Sequence, residues 1–393
     1  MTKNIDQAVI YVGGLGSRIK KFTSKVPKPL IKINQKPFLE YILKNLSRHG
    51  FSEVILLCYY KSNFFIKKYH NKVIYNIKIK CVKERSQLGT GGALLNAKKY
   101  LKNSFFLCNG DTYFDFNLND LCYNYVRSNK IIYVAIKKLR KNSRYTEFEL
   151  KKKKISYVKK NNKKYSLINS GNYVVSKKIL KYLKKKCSLE NDIFKTLIKK
   201  NLIYGKLYNS NSNGFIDIGI YKDLNASSRF LKKVSHKSAL FLDRDGVINK
   251  DLGYVFKKEN FIWRKNITKF IKKYNDKNYY VFVVSNQSGI GRGYYKEKDV
   301  LKLNYWIKQE LRKEGAYIDE FYFAPYFKNS KIKKFRKGKK FRKPNIGMIE
   351  NAKKNWSINL KNSVLIGDQT IDKLTAINAG IKFKILEFKS ILK

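Results

Sequence analysis

Two short segments of this chain hold residues whose types and spacing suit phosphate chemistry. The first, Gly13-Gly14-Leu15-Gly16-Ser17-Arg18, follows the apolar run Gln7–Val12. Glycine permits tight turns and lets backbone N–H groups approach phosphate oxygens, so such a loop can cradle a nucleoside triphosphate. The residues expected to bind the triphosphate are Gly13, Gly14, Gly16 and Ser17, with positive charge from Arg18 and Lys28.

The second segment, Asp243-Arg244-Asp245-Gly246, follows the apolar run Ser238–Leu242. At the end of a strand, Asp243 can point at a phosphorus atom as a nucleophile. Asp245 lies two residues further on, on the same side of the chain, where it can protonate a leaving alcohol and then activate water. This spacing predicts a phosphatase.

Apolar and amphipathic stretches alternate along the whole chain and must position these segments. The apolar runs include Val54–Tyr60, Ser104–Asn109, Tyr279–Ser285 and Ser363–Gly367, and the amphipathic stretches include Phe38–His49 and Lys296–Lys313. Such alternation is typical of α/β architecture with largely parallel sheets. A length of 393 residues favours two domains, which we expect at residues 1–230 and 236–393.

The formal net charge of +58 arises from 86 Lys and Arg residues against 28 Asp and Glu residues. Lysines are spread along the chain and greatly outnumber arginines, which indicates compositional bias more than a specific nucleic-acid site. No apolar run reaches the length of a membrane span, and the first residues lack a signal-peptide core. The five cysteines form no CxxC pair, which indicates free thiols in a reducing compartment, so we expect a cytoplasmic protein. The spread of the lysines predicts no specific nucleic-acid partner.

Further motifs in the first half accompany the glycine loop. The loop is followed by Pro27-Lys28-Pro29-Leu30, then by Lys36–Tyr41, Gln87–Ala93, Asn109-Gly110-Asp111 and Phe215–Gly219. In this order the segments resemble the motifs of the sugar-1-phosphate nucleotidyltransferase family. The resemblance implies a Rossmann-like domain with a mixed sheet, in which a sugar phosphate displaces pyrophosphate from a nucleoside triphosphate. It also implies that Asp111 and Asp217 bind Mg²⁺.

The resemblance extends to the nucleotide and sugar sites, with one departure. The implied binding residues are Gln87, Gly89, Thr90, Gly91, Asn109, Lys160, Asn169, Gly171 and Glu190. The family has an acidic residue before the lysine at Lys160, whereas this chain has Lys159. Glu190 either hydrogen-bonds sugar hydroxyls or caps a helix. Within the family, GTGGA, KPFLEY and Ser143-Arg144-Tyr145 look most like the branch acting on heptose 1-phosphate, and GTP is the favoured nucleotide.

The second half resembles the haloacid dehalogenase superfamily, which implies a second Rossmann-like domain with a parallel sheet. Asp243 to Asn249 match its first motif, and Ser285, Lys343 and Asp368 follow in order, with Ser285 and Asp368 at the ends of later apolar runs and Lys343 in Arg342-Lys343-Pro344. By resemblance, Ser285 binds the transferred phosphoryl group and Lys343 neutralises its charge. The implied Mg²⁺ ligands are Asp243, Asp245 and Asp368, and the implied substrate contacts are Asn286, Arg292 and Arg342.

The segments Asn286–Gly293 and Gly253-Tyr254-Val255 look like the branch that contains heptose 1,7-bisphosphate phosphatase and histidinol-phosphate phosphatase. That branch often carries a zinc loop with cysteine ligands. The corresponding segment here is Phe323–Phe327 followed by a lysine-rich stretch, and no cysteine occurs in this half. Zinc is therefore not expected. We expect the loop 328–340 to be mobile or closed by other contacts.

Together the two resemblances predict consecutive reactions on one sugar. Hydrolysis of D-glycero-D-manno-heptose 1,7-bisphosphate at the 7-phosphate would yield heptose 1-phosphate, and nucleotidyl transfer would then activate it. The alternatives are the same two chemistries on another sugar phosphate, a chain in which only one domain is active, and a basic nucleic-acid-binding module. The sequence predicts nothing about the oligomeric state.

Overall fold

The computed structural model describes residues 4–140, 145–157, 164–208, 214–330 and 332–385. The chain divides into two compact units, Met1–Leu231 and Lys232–Lys393. Each unit is an α/β structure with its own sheet and core, as the alternation of apolar and amphipathic stretches predicts.

The described part of the first unit contains a mixed ten-stranded sheet in the order β10-β11-β13-β9-β12-β7-β1-β4-β6-β5, together with the short pairs β2–β3 and β8–β14. The strands are β1 Gln7–Tyr11, β2 Lys32–Ile33, β3 Lys36–Pro37, β4 Glu53–Cys58, β5 Val73–Ile74, β6 Ile77–Lys83, β7 Ser104–Asn109, β8 Thr112–Phe114, β9 Ile132–Arg140, β10 Glu147–Lys151, β11 Lys154–Tyr157, β12 Tyr165–Ser176, β13 Ile203–Leu207 and β14 Phe215–Asp217. Its helices are α1 Lys20–Thr23, α2 Phe38–Arg48, α3 Ser62–Tyr69, α4 Gly89–Asn96, α5 Leu118–Val126, α6 Phe194–Lys199 and α7 Tyr221–Ser235, the last of which continues into the second unit.

The centre of this sheet is parallel, since β1 runs parallel to both β4 and β7, and β4 runs parallel to β6. β1 and β7 are almost entirely buried, as expected for apolar strands that are covered on both faces. α2 packs on the core through Phe38, Leu39 and Ile42, because residues three and four apart share one helix face. The carboxyl ends of β1 and β7 therefore meet at one edge of the sheet and bring their following loops together.

The described part of the second unit contains a five-stranded sheet in the order β17-β16-β15-β18-β19, and every neighbouring pair is parallel. The strands are β15 Ala239–Leu242, β16 Tyr280–Asn286, β17 Glu320–Ala324, β18 Val364–Gly367 and β19 Lys382–Ile385, and the helices are α8 Ile267–Asp276, α9 Ser288–Arg292, α10 Glu297–Lys313, α11 Gly347–Asn355 and α12 Thr370–Asn378. Apolar clusters cover both faces, one around Leu240 and Ile307 and one around Phe241 and Ile349. Residues at the carboxyl ends of β15, β16 and β18 consequently share one edge of the sheet.

None of the helices in the described ranges combines the length and apolar character needed to cross a membrane.

Candidate active sites

The glycine loop of the first unit follows β1 and turns tightly before a short 3₁₀ turn, Ser17–Ile19. Gly16 has φ +65°, and a Cβ atom there would lie 2.5 Å from Cγ2 of Thr23, so no other residue fits this turn. A Cβ atom on Gly14 would instead meet no atom within 4 Å. The backbone at Gly14 thus faces open space, where a phosphate can approach. Ser17 and Arg18, which follow at once, are exposed beside it.

Lys28 and Asp111 form a partly buried ion pair next to this loop. Asp111 follows β7, and Thr112 Oγ1 donates a hydrogen bond of 3.3 Å to its Oδ1. Asp217 is the register partner of Thr112 in the β8–β14 pair, and its Oδ1 accepts from the Gly219 N–H at 2.8 Å. The structure therefore brings the two carboxylates predicted to bind Mg²⁺ to neighbouring positions, with the predicted cation Lys28 paired to one of them, Asp111.

A chain of hydrogen bonds joins predicted sugar-site residues that are distant in sequence. Asn169 Nδ2 donates to the Tyr173 hydroxyl at 2.7 Å, and that hydroxyl donates to Glu190 Oε1 at 3.2 Å. The other oxygen of Glu190 accepts from Thr90 Oγ1 at 2.8 Å. Burial raises the pKa of Tyr173 well above its usual value, so the phenol stays protonated and acts as a donor.

Glu190 lies in a single π-helical turn, Leu189–Ile193, whose N-cap is Ser188: its side chain accepts from the Asn191 N–H. The carboxylate of Glu190 is instead directed to Thr90 and Tyr173. The cap is thus made by another residue, and Glu190 belongs to a hydrogen-bond network with Thr90 and Tyr173; its contact with sugar hydroxyls stays a prediction.

The remaining predicted nucleotide residues lie around the start of α4 and the end of β7. Gly89 has φ +74°, the Gly91 N–H donates to the Cys187 carbonyl at 2.9 Å, and Gln87 is exposed. The side chain of Asn109 packs directly against Gly171, where a Cβ atom would lie 2.4 Å from Asn109 Nδ2. Lys160, like Ser143 and Arg144, lies outside the described residues.

The centre of the second site is a buried lysine that bridges two aspartates. Lys343 Nζ lies 2.8 Å from Asp243 Oδ2 and 2.5 Å from Asp372 Oδ1, and only 2% of Lys343 is exposed. Burial alone would lower the pKa of Lys343, but the two carboxylates outweigh it and raise that pKa. Burial, opposed by Lys343, raises the pKa of Asp243 to about 6. Lys343 is thus a permanent cation beside the predicted nucleophile.

Asp368 lies next to Asp243 and Asp372, at the carboxyl end of β18. One carboxylate oxygen from each of Asp243, Asp368 and Asp372 lies within 4.8 Å of the others. Gly246 has φ +85°, and a Cβ atom there would lie 1.9 Å from Asp368 Oδ2, so the loop after Asp243 can close over Asp368 only because Gly246 has no side chain. Three carboxylates facing one point form an oxygen donor set of the kind that hard divalent cations prefer.

The carboxylate of Asp245 is not part of that group in the described structure. It accepts hydrogen bonds from Arg244, Asn249 and Gln287, at 2.9, 3.0 and 2.9 Å. Gln287 also donates to Ser285 Oγ at 2.8 Å. The predicted residues Asp245 and Ser285 are therefore joined through Gln287, which the sequence reasoning did not single out, although it lies in the same motif as Asn286.

Two arginines and an asparagine complete the site. The side chain of Asn286 makes two hydrogen bonds to the main chain of Lys343: it accepts from the N–H at 3.0 Å and donates to the carbonyl at 3.3 Å. Arg342 donates to the Tyr326 carbonyl at 3.3 Å, and its pKa is lowered by burial and by the nearby guanidinium of Arg292. Two guanidinium groups close enough to disfavour each other's charge form a positive region that suits a second phosphate.

The lysine-rich loop before Arg342 is held by apolar and hydrogen-bond contacts in its described part. Phe335 is buried in a cluster with Ile290, Tyr295 and Val300. Arg336 Nε donates to the Ser330 carbonyl at 2.7 Å. Of the two expectations for this loop, closure by other contacts is thus what the structure shows.

Comparison with known proteins agrees with both family resemblances. The nucleotidyl transferase family model matches residues 7–234, and the polynucleotide kinase 3 phosphatase model matches residues 239–387. D-glycero-alpha-D-manno-heptose 1-phosphate guanylyltransferase from Campylobacter jejuni is 38% identical over 224 residues, which are 55% of this chain and 96% of that protein. D-glycero-alpha-D-manno-heptose-1,7-bisphosphate 7-phosphatase from Burkholderia mallei is 43% identical over 148 residues, which are 38% of this chain and 78% of that protein.

Among solved structures, the inositol-1-phosphate CTP transferase from T. maritima is 16% identical, with a TM-score of 0.50, and the match covers 59% of this chain and 97% of that one. This likeness concerns the fold alone. The family matches and the two relatives, each covered over most of its length, confirm both resemblances seen in the motifs. The chain belongs to the nucleotidyl transferase family and carries, joined to that domain, a phosphatase domain of the haloacid dehalogenase type.

Proposed function

We propose that this enzyme performs two consecutive steps in the activation of a heptose. Its phosphatase domain removes the 7-phosphate of D-glycero-α-D-manno-heptose 1,7-bisphosphate, and its transferase domain joins the resulting heptose 1-phosphate to a nucleotide from GTP. The observation that carries the proposal is the presence, on one chain, of the Asp243–Lys343–Asp372 centre and the Lys28–Asp111 centre, in domains whose relatives act on successive heptose phosphates. We place the reactions in the cytoplasm, where both nucleotides and sugar phosphates occur.

In the phosphatase reaction a carboxylate oxygen of Asp243 attacks the phosphorus of the 7-phosphate, and the bond from phosphorus to the sugar oxygen breaks. Asp245 gives a proton to that oxygen. Water, deprotonated by Asp245, then attacks the aspartyl phosphate and releases inorganic phosphate and free Asp243. Lys343 and the Ser285 hydroxyl hold the phosphoryl oxygens throughout, and Arg292 with Arg342 binds the phosphate that remains on the sugar.

The oxygen donor set fits a magnesium ion, which we propose for both sites. Asp243 and Asp368 would hold it in the phosphatase, and Asp111 and Asp217 in the transferase. When bound, the ion supplies positive charge to phosphoryl oxygens. The ligand role of Asp245 stays a prediction, because its carboxylate is engaged by Arg244, Asn249 and Gln287. We do not expect zinc, because the second half contains no cysteine and has only one histidine, His236.

In the transferase reaction a phosphate oxygen of heptose 1-phosphate attacks the α-phosphorus of GTP, and pyrophosphate leaves. Such a displacement requires alignment of the partners and neutralisation of charge more than an acid or base. Gly14, Arg18 and Lys28 contact the triphosphate, while Asn169 and Glu190 bind sugar hydroxyls. Lys160 stays a predicted contact to the sugar phosphate.

The test is a substrate survey with the purified full chain. Phosphate release is measured from heptose 1,7-bisphosphate in both anomers and from hexose and mannose bisphosphates. Pyrophosphate release is measured from each of the four common nucleoside triphosphates with heptose 1-phosphate or the hexose 1-phosphates. We expect the highest kcat/KM for the α-heptose substrates and GTP. A hexose phosphate preferred by tenfold or more would refute the assignment of the sugar.

A further inference from the structure

Gln287 connects Asp245 and Ser285 of the phosphatase site through a complete set of hydrogen bonds. The residue follows β16 directly and is 2% exposed. Its Nε2 donates to Asp245 Oδ2 at 2.9 Å and to Ser285 Oγ at 2.8 Å. Its Oε1 accepts from Arg244 Nη2 at 3.1 Å and from the Tyr295 hydroxyl at 2.9 Å. All the hydrogen-bonding capacity that one amide side chain usually offers is thus used.

The surroundings of the amide permit only this orientation. A guanidinium can only donate, so Arg244 must face the oxygen of Gln287. The nitrogen of Gln287 then faces Asp245, whose Oδ2 accepts from it. Rotating the amide by half a turn would place nitrogen against nitrogen and oxygen against oxygen, which would leave buried polar groups unpaired. Gln287 therefore donates to Asp245 and Ser285 at the same time.

This arrangement has a consequence for the Ser285 hydroxyl. A hydroxyl has one hydrogen and two lone pairs, and one lone pair of Ser285 is occupied by the donor from Gln287. The hydrogen of Ser285 is then free to point at a phosphoryl oxygen. For Asp245, the same amide group fixes the carboxylate at the position from which it must reach the leaving oxygen.

Buried side chains support Gln287 from behind. Arg244 is 1% exposed, and its Nη2 also donates to the carbonyl of Val255. The Tyr295 ring stacks on Phe256 with ring centroids 4.7 Å apart and an interplanar angle of 16°. Burial raises the pKa of Tyr295 to about 12, so its hydroxyl stays a donor to Gln287. The supporting groups are therefore buried and held by several contacts each.

We infer that Gln287 is a positioning residue for the phosphatase reaction, which orients Asp245 towards the leaving alcohol and Ser285 towards the transferred phosphoryl group. The inference rests on the proposed phosphatase chemistry but not on the identity of the sugar. It predicts that loss of Gln287 affects the proton transfer to the leaving group more than it affects binding of the substrate.

The experiment compares two kinds of leaving group in Gln287→Met, which keeps an unbranched side chain and removes all four hydrogen bonds. The substrates are the alkyl phosphate that the unaltered enzyme hydrolyses best and p-nitrophenyl phosphate, whose leaving group needs no proton. We expect kcat/KM, which reports the steps up to transfer of the phosphoryl group to Asp243, to fall about 100-fold for the alkyl phosphate and less than about tenfold for p-nitrophenyl phosphate, because general acid catalysis contributes at least that difference. KM should change less than about threefold in both cases, since no substrate contact is removed.

Tyr295→Phe is a milder variant that keeps the stacking on Phe256 and removes one hydrogen bond to Gln287. It should lower the alkyl-to-aryl rate ratio about threefold, and it tests the inference even if Gln287→Met does not fold. Gln309→Met, on α10, is the matched control and should leave both rates unchanged; circular dichroism and thermal melting check the fold of each variant.

Equal losses on both substrates, in folded variants, would overturn the inference and mark Gln287 as a structural residue. That result is distinct from failure of the proposed phosphatase chemistry, which would show as a lack of activity in the unaltered enzyme.

Discussion

The two active sites of this chain differ in how much of their charge is already paired within the protein. In the phosphatase, Lys343 is buried and contacts both Asp243 and Asp372. In the transferase, the Lys28–Asp111 pair is partly buried, whereas Arg18 and Gln87 are exposed. The first site is organised before substrate arrives, and the second leaves charged groups open to solvent around its glycine loop.

The difference follows from the chemistry of each reaction. A covalent mechanism requires one carboxylate oxygen in line with the phosphorus, and the contact with Lys343 restricts the buried carboxylate of Asp243 to one position. Nucleotidyl transfer joins two substrates that carry their own negative charge, so exposed cations can close on them as they bind. A buried ion pair is costly to desolvate, and it lies here beside Asp243, the proposed nucleophile, whose alignment would matter in a covalent mechanism.

The largest effect should come from Asp243→Asn. An amide cannot act as the nucleophile, so phosphate release should fall by at least about 10⁴-fold. Nucleotidyl transfer from heptose 1-phosphate should change less than about twofold, because Asp243 belongs to the phosphatase alone. Phosphate and pyrophosphate release are measured on the same preparation, and parallel loss of both in a folded variant would contradict the separation of the two sites.

Asp111→Ala and Arg18→Ala test the transferase in the same way. Each removes charge stabilisation around the triphosphate, and we expect pyrophosphate release to fall roughly a thousandfold. Phosphate release should be unaffected. Losses below about fivefold in both variants would show that these residues are not in the transferase site.

Asp372→Asn removes one half of the buried Lys343–Asp372 ion pair and keeps Asp243, the proposed nucleophile. Asp372 is fully buried and contacts Lys343. Neutralising Asp372 leaves Asp243 as the one remaining carboxylate of this cluster that contacts the Lys343 ammonium. We expect the free energy of unfolding of the second unit to fall by roughly 3 kcal/mol and kcat for phosphate release to fall about tenfold. Chemical denaturation and steady-state kinetics measure the two quantities, and unchanged stability would argue against the ion pair.

The smallest effect concerns pH. The pKa of Asp243 is raised to about 6 by burial, so below that pH its carboxylate is mostly protonated when no metal is bound. Protons then compete with Mg²⁺, and the Mg²⁺ concentration for half-maximal phosphate release should rise about tenfold per pH unit below pH 6. Magnesium titrations at pH 5.0, 6.0 and 7.5 measure this, and a requirement that does not vary with pH would exclude Asp243 as a ligand.

The positions of most site residues could be predicted because they follow apolar strands. The run Ser104–Asn109 coincides with β7, and Ser238–Leu242 differs from β15 by one residue. A strand end fixes where the next residues lie, so Asp111 and Asp243 reach the sheet edge that their motifs predict. The division into a mixed sheet and a parallel sheet was predictable only from the family resemblances, because the alternation of apolar and amphipathic stretches indicates largely parallel sheets in both halves.

Contacts between distant segments could not be predicted in the same way. Thr90 and Glu190 are 100 residues apart and meet only once the strands have assembled. Arg244 lies between two aspartates, where a charged residue is ordinarily expected to be exposed, yet it is 1% exposed because Val255 and Gln287 enclose its guanidinium. Phe335 likewise gives no local sign that it anchors a lysine-rich loop.

The most direct test of the central claim, two independent sites that act in sequence, is a mixing experiment with Asp243→Asn and Asp111→Ala. Each variant alone is given heptose 1,7-bisphosphate, GTP and Mg²⁺, and the nucleotide-linked heptose is measured by chromatography. We predict negligible product from either variant and, from an equimolar mixture, at least about a third of the amount made by the unaltered enzyme, because heptose 1-phosphate made by Asp111→Ala can diffuse to Asp243→Asn. A mixture that makes no product, although each variant keeps its remaining activity, would contradict the two-step account.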